Sequence, residues 1–244
     1  MQVCHTRMLN FLCRCIVAVL LLMSTNGYAQ IQYFHPIELL DGKKKATIPF
    51  RYIHNFIIVE ARIYGIIPLQ FIFDTGAEHI ILFKREYTDL LQVPYDRRIP
   101  VLGSDMSREI FALIARNGVI EVNGLAPQPH DILVLEEDYF SLDEMIGSPV
   151  AGLIGGGFFR NLIINIDYKR RQITLYDPAT FEPPDDYISL PIKIKTNKPY
   201  IMAEASLNDG SPVQVDLLVD TGAGVPLLLH NNSHPSLHLP DHYI

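Results

Sequence analysis

The sequence has no tryptophan, and its three cysteines, Cys4, Cys13 and Cys15, all lie at the N-terminus. The rest of the chain has no thiols, which excludes a disulfide scaffold and a cysteine nucleophile there. A basic excess is also lacking. Twenty Lys and Arg face 27 Asp and Glu, for a net charge of −7. A nucleic-acid binder usually carries a basic face, so no nucleic-acid partner is expected. The N-terminal apolar run, "CIVAVLLLM" from Cys15 to Met23, is too short to span a bilayer, which takes roughly 18 or more apolar residues. It follows Arg7 and Arg14 and precedes small residues at Gly27 and Ala29, the layout of a secretory signal peptide cleaved after Ala29. Residues 1–29 are therefore expected to be removed, leaving an exported chain without cysteine or a stable membrane span. Its place is periplasmic or extracellular, including the cell envelope.

What is present is strand-like. From Thr47 onward, "FIIVEARIYG", "IPLQFIFD", "NGVIEVNG", "DILVLEE", "LIINIDY" and "RQITLYD" are rich in β-branched residues and bounded by Gly, Asn, Asp or Pro. The last two predict a hairpin with its turn at Lys169 to Gln172. Short helices are expected only in "FKREYTDLL" and "GGFFRN", and "LEEDYFSLDE" reads as an acidic surface segment. The class is mostly β.

A repeat organises the chain. "NFIIVEARIYGIIPLQFIFDTGAEHIIL" begins at Asn55, and "PYIMAEASLNDGSPVQVDLLVDTGAGVPLLL" begins at Pro199. Each passes from an apolar strand through a Gly-containing turn into a second strand, which ends in Asp-Thr-Gly-Ala. "DPATFEPPDDYISLP" between them is rich in Pro and Asp and reads as a linker. The expected organisation is an N-terminal extension at 30–44, a first lobe at 45–178, a linker at 179–188, and the start of a second lobe at 189–244.

By average usage, Asp-Thr-Gly should occur roughly 0.04 times in a chain this long, so two copies inside a longer repeat are not an accident of composition. One copy alone would fit a tight turn, with Asp capping local amides. Two equivalent loops from related lobes can meet, which would bring Asp74 and Asp220 together. Carboxylates that close cannot both ionise cheaply, so they share a proton. The charged member can deprotonate a water, and the protonated member can polarise a substrate carbonyl. Gly76 and Gly222 let the backbone approach the carboxylates, and Thr75 and Thr221 can bond across the lobes.

The two Asp-Thr-Gly-Ala segments resemble the active-site loops of the pepsin and retropepsin group of aspartic peptidases, nearest to secreted bacterial aspartyl proteases, which often carry a downstream PDZ domain. "GLIGGGFF" from Gly152 to Phe159 is similar to the strand that supports the aspartate loop in that group, with Leu153, Ile154 and Gly155 in the matching places. The resemblance implies a two-lobed acid-protease β fold and an aspartic endopeptidase acting on peptide or protein substrates. It also implies catalysis by Asp74 and Asp220 with no metal or other cofactor, and a substrate-covering flap at "PVLGSDMSREI", turning at Gly103, Ser104 and Asp105. Ala77 and Ala223 stand where pepsin-like members often carry a hydroxyl donor to the carboxylate, which implies an only mildly acidic optimum.

The pattern departs from the family in the second lobe. Asp74 precedes Leu153 by 79 residues, which would place a second support strand near position 299 of a sequence of 244 residues. The second lobe is thus expected to be incomplete, with the chain either a fragment lacking a C-terminal segment or a decayed or partner-completed form. Two alternatives stay open: a non-catalytic peptide-binding module, and a first lobe that pairs Asp74 with Asp74 of a second copy. His230, His234, His238 and His242 are spaced for one helical face, but Pro235 and Pro240 break such a helix, so a loop is expected and no metal site.

Overall fold

Residues 36–102, 109–206 and 212–229 are described by the computed structural model. The signal segment 1–29, the flap turn Gly103, Ser104 and Asp105, and the histidines of the tail lie outside the described residues. The fold is mostly β.

The strands of the first half are β1 (Lys45–Pro49), β2 (Arg51–Ile53), β3 (Phe56–Ile63), β4 (Ile67–Asp74), β5 (Ile80–Leu82), β6 (Tyr95–Leu102), β7 (Glu109–Val122), β8 (Pro129–Leu135), β9 (Gly152–Gly155), β10 (Ile163–Asp167) and β11 (Gln172–Tyr176). Eight of them form one sheet in the order β2-β3-β4-β9-β5-β8-β7-β6. A further pairing, Ala61 with Val122 through Ile63 with Ile120, joins β3 back to β7 and closes six strands into a ring. Closure removes the exposed edges that an open sheet would leave. Only β2 and β6 stay outside it.

Burial inside the ring selects its sequence. Ile57, Ile63, Ile80, Leu82, Ile132, Val134 and Ile154 of its core have no accessible surface. β8 is buried at six successive positions, so its apolar run shows no alternation. β6 behaves as an edge strand. Its side chains alternate in exposure from Tyr95 to Val101, and Pro100 is tolerated there because an edge position need not donate to a ladder. β1, β11 and β10 form a separate three-stranded sheet, with Ile173 and Leu175 facing the core.

The strand that leads into the first Asp-Thr-Gly is gripped on both sides. β4 pairs antiparallel with β3 and parallel with β9, placing Phe73 beside Ile154 and Asp74 beside Gly155. β9 also pairs with β5. This crowding explains its glycines: a side chain on Gly152 would run into the carbonyl of Ile81, and one on Gly155 would meet the carbonyl oxygen of His79 at 2.5 Å. Beyond β9, a 3-10 turn at Gly156–Phe159 buries Phe158 and Phe159. Phe159 packs on Phe73, the residue before Asp74, with ring centroids 5.1 Å apart.

The second half has β12 (Ile192–Lys195), β13 (Lys198–Ala205) and β14 (Val213–Leu218) in one antiparallel sheet. Among the described residues β14 pairs with β13 alone, so the strand before Asp220 lacks the flanking partner that β9 gives to β4.

Two expectations need correction, and two strands add to them. The β10–β11 turn occupies Tyr168 to Arg171, because Gln172 already pairs with Asp167, and the Asp167 carboxylate caps the turn by accepting from the Arg170 amide at 2.8 Å. The acidic segment is not merely solvated surface. It contains a short helix, Leu142–Ile146, where Asp143 pairs with Lys84 and accepts from the Val150 amide at 2.7 Å. β6 and much of β7 are strands that composition did not single out, and their charged Arg98 and Arg116 are paired with Glu136 and Asp131.

Gly152→Ala is expected to cost about 1–3 kcal/mol of stability by forcing β9 away from β5, read as a lower urea midpoint with an unchanged slope. A midpoint equal to the parent's would show that the close approach does not constrain the sheet.

Candidate active site

Each Asp-Thr-Gly follows an apolar strand and opens a tight turn, and the two turns lie against each other. Threonine side chains join them reciprocally. The Thr75 amide donates to Thr221 Oγ1 at 3.1 Å, and the Thr221 amide donates to Thr75 Oγ1, also at 3.1 Å. Each hydroxyl in turn donates into the opposite strand, Thr75 Oγ1 to the Val219 carbonyl at 2.6 Å and Thr221 Oγ1 to the Phe73 carbonyl at 2.7 Å. Both hydroxyls are fully used, as donor and as acceptor. Thr75 is among the few buried polar residues, so losing either partner would strand polar groups away from water.

This exchange brings Asp74 and Asp220 face to face. A side chain on Gly76 would collide with the Asp220 carboxyl group, and one on Gly222 would collide with that of Asp74. Each glycine is the floor on which the opposite carboxylate sits. Gly76 N–H donates to Asp74 Oδ1 at 2.7 Å and Ala77 N–H at 3.1 Å, while Gly222 N–H donates to Asp220 Oδ1 at 2.7 Å. Neither Ala77 nor Ala223 supplies a hydroxyl.

Burial and then the neighbouring Asp220 charge push Asp74 up to about 7, and a hydrogen bond between the two carboxyl groups adds to the rise. The amides of Gly76 and Ala77 oppose it. Asp74 therefore keeps its proton through the mildly acidic range, beside the second carboxyl group.

The remaining expected residues divide. Leu153, Ile154 and Gly155 lie on β9 beside this loop. Gly155 N–H donates to the His79 carbonyl at 3.1 Å, and Gly156 N–H to the Ala77 carbonyl at 2.9 Å. The strands flanking the flap turn pair as a hairpin up to Leu102 with Glu109. Two asparagines that sequence reasoning passed over also reach the loops. Asn55 Nδ2 donates to the Gly224 carbonyl at 3.0 Å, and Asn197 Nδ2 donates to Glu78 Oε1 at 2.9 Å. Their only signal was the placement of a His-Asn and a Thr-Asn turn at similar points of the repeat. No group of His, Cys, Asp or Glu among the described residues could hold a metal ion.

No protein-family model matches the chain, and no curated protein sequence is similar to it. Among solved structures, the chain is similar to a retropepsin-like aspartic protease from Rickettsia conorii. The two share 16% identity over 60% of this chain and 97% of that one, with a TM-score of 0.37.

Two outcomes follow from this geometry. Thr221→Val removes the acceptor of the Thr75 amide and the donor to the Phe73 carbonyl, and is expected to cost about 2–4 kcal/mol in urea denaturation; a loss under half a kcal/mol would contradict the reciprocal bonding. The raised Asp74 value means that the folded state keeps a proton which the unfolded chain releases. Stability therefore falls as pH rises from about 4 to about 7. In Asp74→Asn that loss should vanish, making the variant the more stable form at pH 7. Parallel stability curves for the two proteins would contradict it.

Proposed function

We propose that the chain is an exported aspartic endopeptidase that hydrolyses peptide bonds with water activated between Asp74 and Asp220. The observation that carries this reading is the reciprocal threonine exchange, which seats each carboxyl group against the glycine of the opposite loop within one chain. That meeting also favours pairing within one chain over pairing of Asp74 with its copy in a second chain.

The chemistry follows from one shared proton. A peptide carbonyl enters between the loops, and the protonated carboxyl donates its hydrogen to the carbonyl oxygen. The ionised carboxylate takes a proton from water, whose oxygen attacks the carbonyl carbon. The product is a neutral tetrahedral diol. Its collapse breaks the C–N bond as a carboxyl proton passes to the amide nitrogen and a diol proton returns to the pair. Atoms and charge balance, and the dyad ends with the one proton it began with. No metal or organic cofactor enters. The support for export is the leader-like order of Arg7, Arg14, the apolar run to Met23 and the small residues before Gln30.

Cleavage requires one proton on the pair, so activity should decline above about pH 7, where Asp74 ionises, and should peak in mildly acidic solution. A peptide-library digest across pH 3–8 tests this. Asp74→Asn and Asp220→Asn should each lower kcat at least about a thousandfold. A profile that peaks near pH 2 and is gone by pH 5 would overturn the pH assignment. Binding of a statine-type transition-state mimic without any cleavage by the parent would replace the peptidase with a peptide-binding module.

A further inference from the structure

The threonine exchange joins the two loops at their bases, but their outer ends are held elsewhere. The β2–β3 connection is the two-residue turn His54–Asn55, with φ of 48° and 67°. The β12–β13 connection is Thr196–Asn197, with φ of 47° and 59°. Both turns place two successive residues in the left-handed region, a hairpin geometry that suits Asn. In both, the second residue is the asparagine that crosses to the other half.

The acceptors also correspond. Glu78 is the fourth residue after Asp74, and Gly224 is the fourth after Asp220. Each hairpin tip thus crosses to the opposite half and grips the far end of its aspartate turn at the same step. At Gly224 the approach is close enough to exclude a side chain. Its φ is 68°, and a Cβ there would meet the ring of Phe56 at 2.9 Å.

We propose that Asn55 and Asn197 are positioning residues, a reciprocal pair of latches that fix the separation of the Asp74 and Asp220 carboxyl groups by pinning the outer end of each loop to the other half. The functional part of this statement rests on the peptidase reading above. The latches are unequal. Asn197 donates to a carboxylate, and charge-assisted bonds are roughly twice as strong as neutral ones, whereas Asn55 donates to a backbone carbonyl. Glu78 also has His79 Nε2 at 3.9 Å. Burial holds the His79 imidazole below its usual range, and the charges of Glu78, Lys198 and Asp131 also act on it. The Asn55 latch serves the less supported loop, since β14 has only β13 beside it among the described residues.

Glycine is the informative replacement, because it keeps the positive φ of the turn and deletes only the amide. In the full chain, Asn55→Gly and Asn197→Gly should each lower kcat for peptide cleavage about tenfold, leave KM within about twofold, and move the alkaline limb of the pH profile down by about half a pH unit. The downward direction follows from weaker repulsion as the carboxyl groups drift apart. Glu78→Gln keeps an acceptor oxygen but loses the charge assistance, and should fall between the parent and Asn197→Gly. Glu78→Ala leaves the turn untouched and should match Asn197→Gly, with the double variant no worse than either single one. Carboxyl NMR titration of the pair reads the same displacement without substrate.

Parent cleavage with unchanged kcat and titration in both glycine variants overturns the latches and leaves the peptidase standing. A parent that cleaves nothing, but whose carboxyl titration shifts in Asn197→Gly and by less in Glu78→Gln, overturns the peptidase and leaves the latches standing.

Discussion

Two carboxylates held side by side repel each other, and the surroundings of Asp74 and Asp220 hold them there. The restraint is the exchange of hydrogen bonds between Thr75 and Thr221, in which each residue gives a backbone amide and a hydroxyl and receives at its own hydroxyl. A single such bond contributes about 1 kcal/mol net, yet its partners are buried and cannot turn to water instead. The cost of leaving them unpaired is what makes the arrangement firm. Bare glycines at positions 76 and 222 then let the carboxyl groups close on the opposite backbone, and burial, followed by the nearby Asp220 charge, raises Asp74.

Support for the two loops is unequal. The first rests on a closed ring of strands, with β9 beside it, Phe159 under Phe73, and the amides of Gly155 and Gly156 bonded to its carbonyls. The second is reached through β14 and is bonded chiefly by groups of the first half: Thr75, the Phe73 carbonyl and Asn55. Among the described residues of the second half, Ile192, Ile194, Leu227 and Leu228 are exposed.

The features that could be read from the sequence are those whose cause is local or repeated. β4 ends where its β-branched run meets the motif, at Asp74, and the duplication of that motif points to a pairing of Asp74 with Asp220. The Leu153–Gly155 strand was legible by resemblance. What escaped depends on distant partners. Arg98 and Arg116 hide strands because Glu136 and Asp131, which neutralise them, come from β8 and just after it. Asp143 looked like solvated charge until Lys84 and the Val150 amide were placed around it. Asn55 and Asn197 are ordinary turn residues in isolation, and their acceptors lie 169 and 119 residues away.

The unequal support has a consequence for how the chain acquires its shape. Synthesis proceeds from the N-terminus, and units that fold early can serve as templates for later ones. Here the ring containing Asp74 is complete in sequence by Gly155, well before Asp220 is made. The order of manufacture thus matches the order of dependence: the part that needs a mould emerges after the mould exists. Reversing the two halves by circular permutation would present the dependent loop first, with nothing to set against, and would turn a guided assembly into a search.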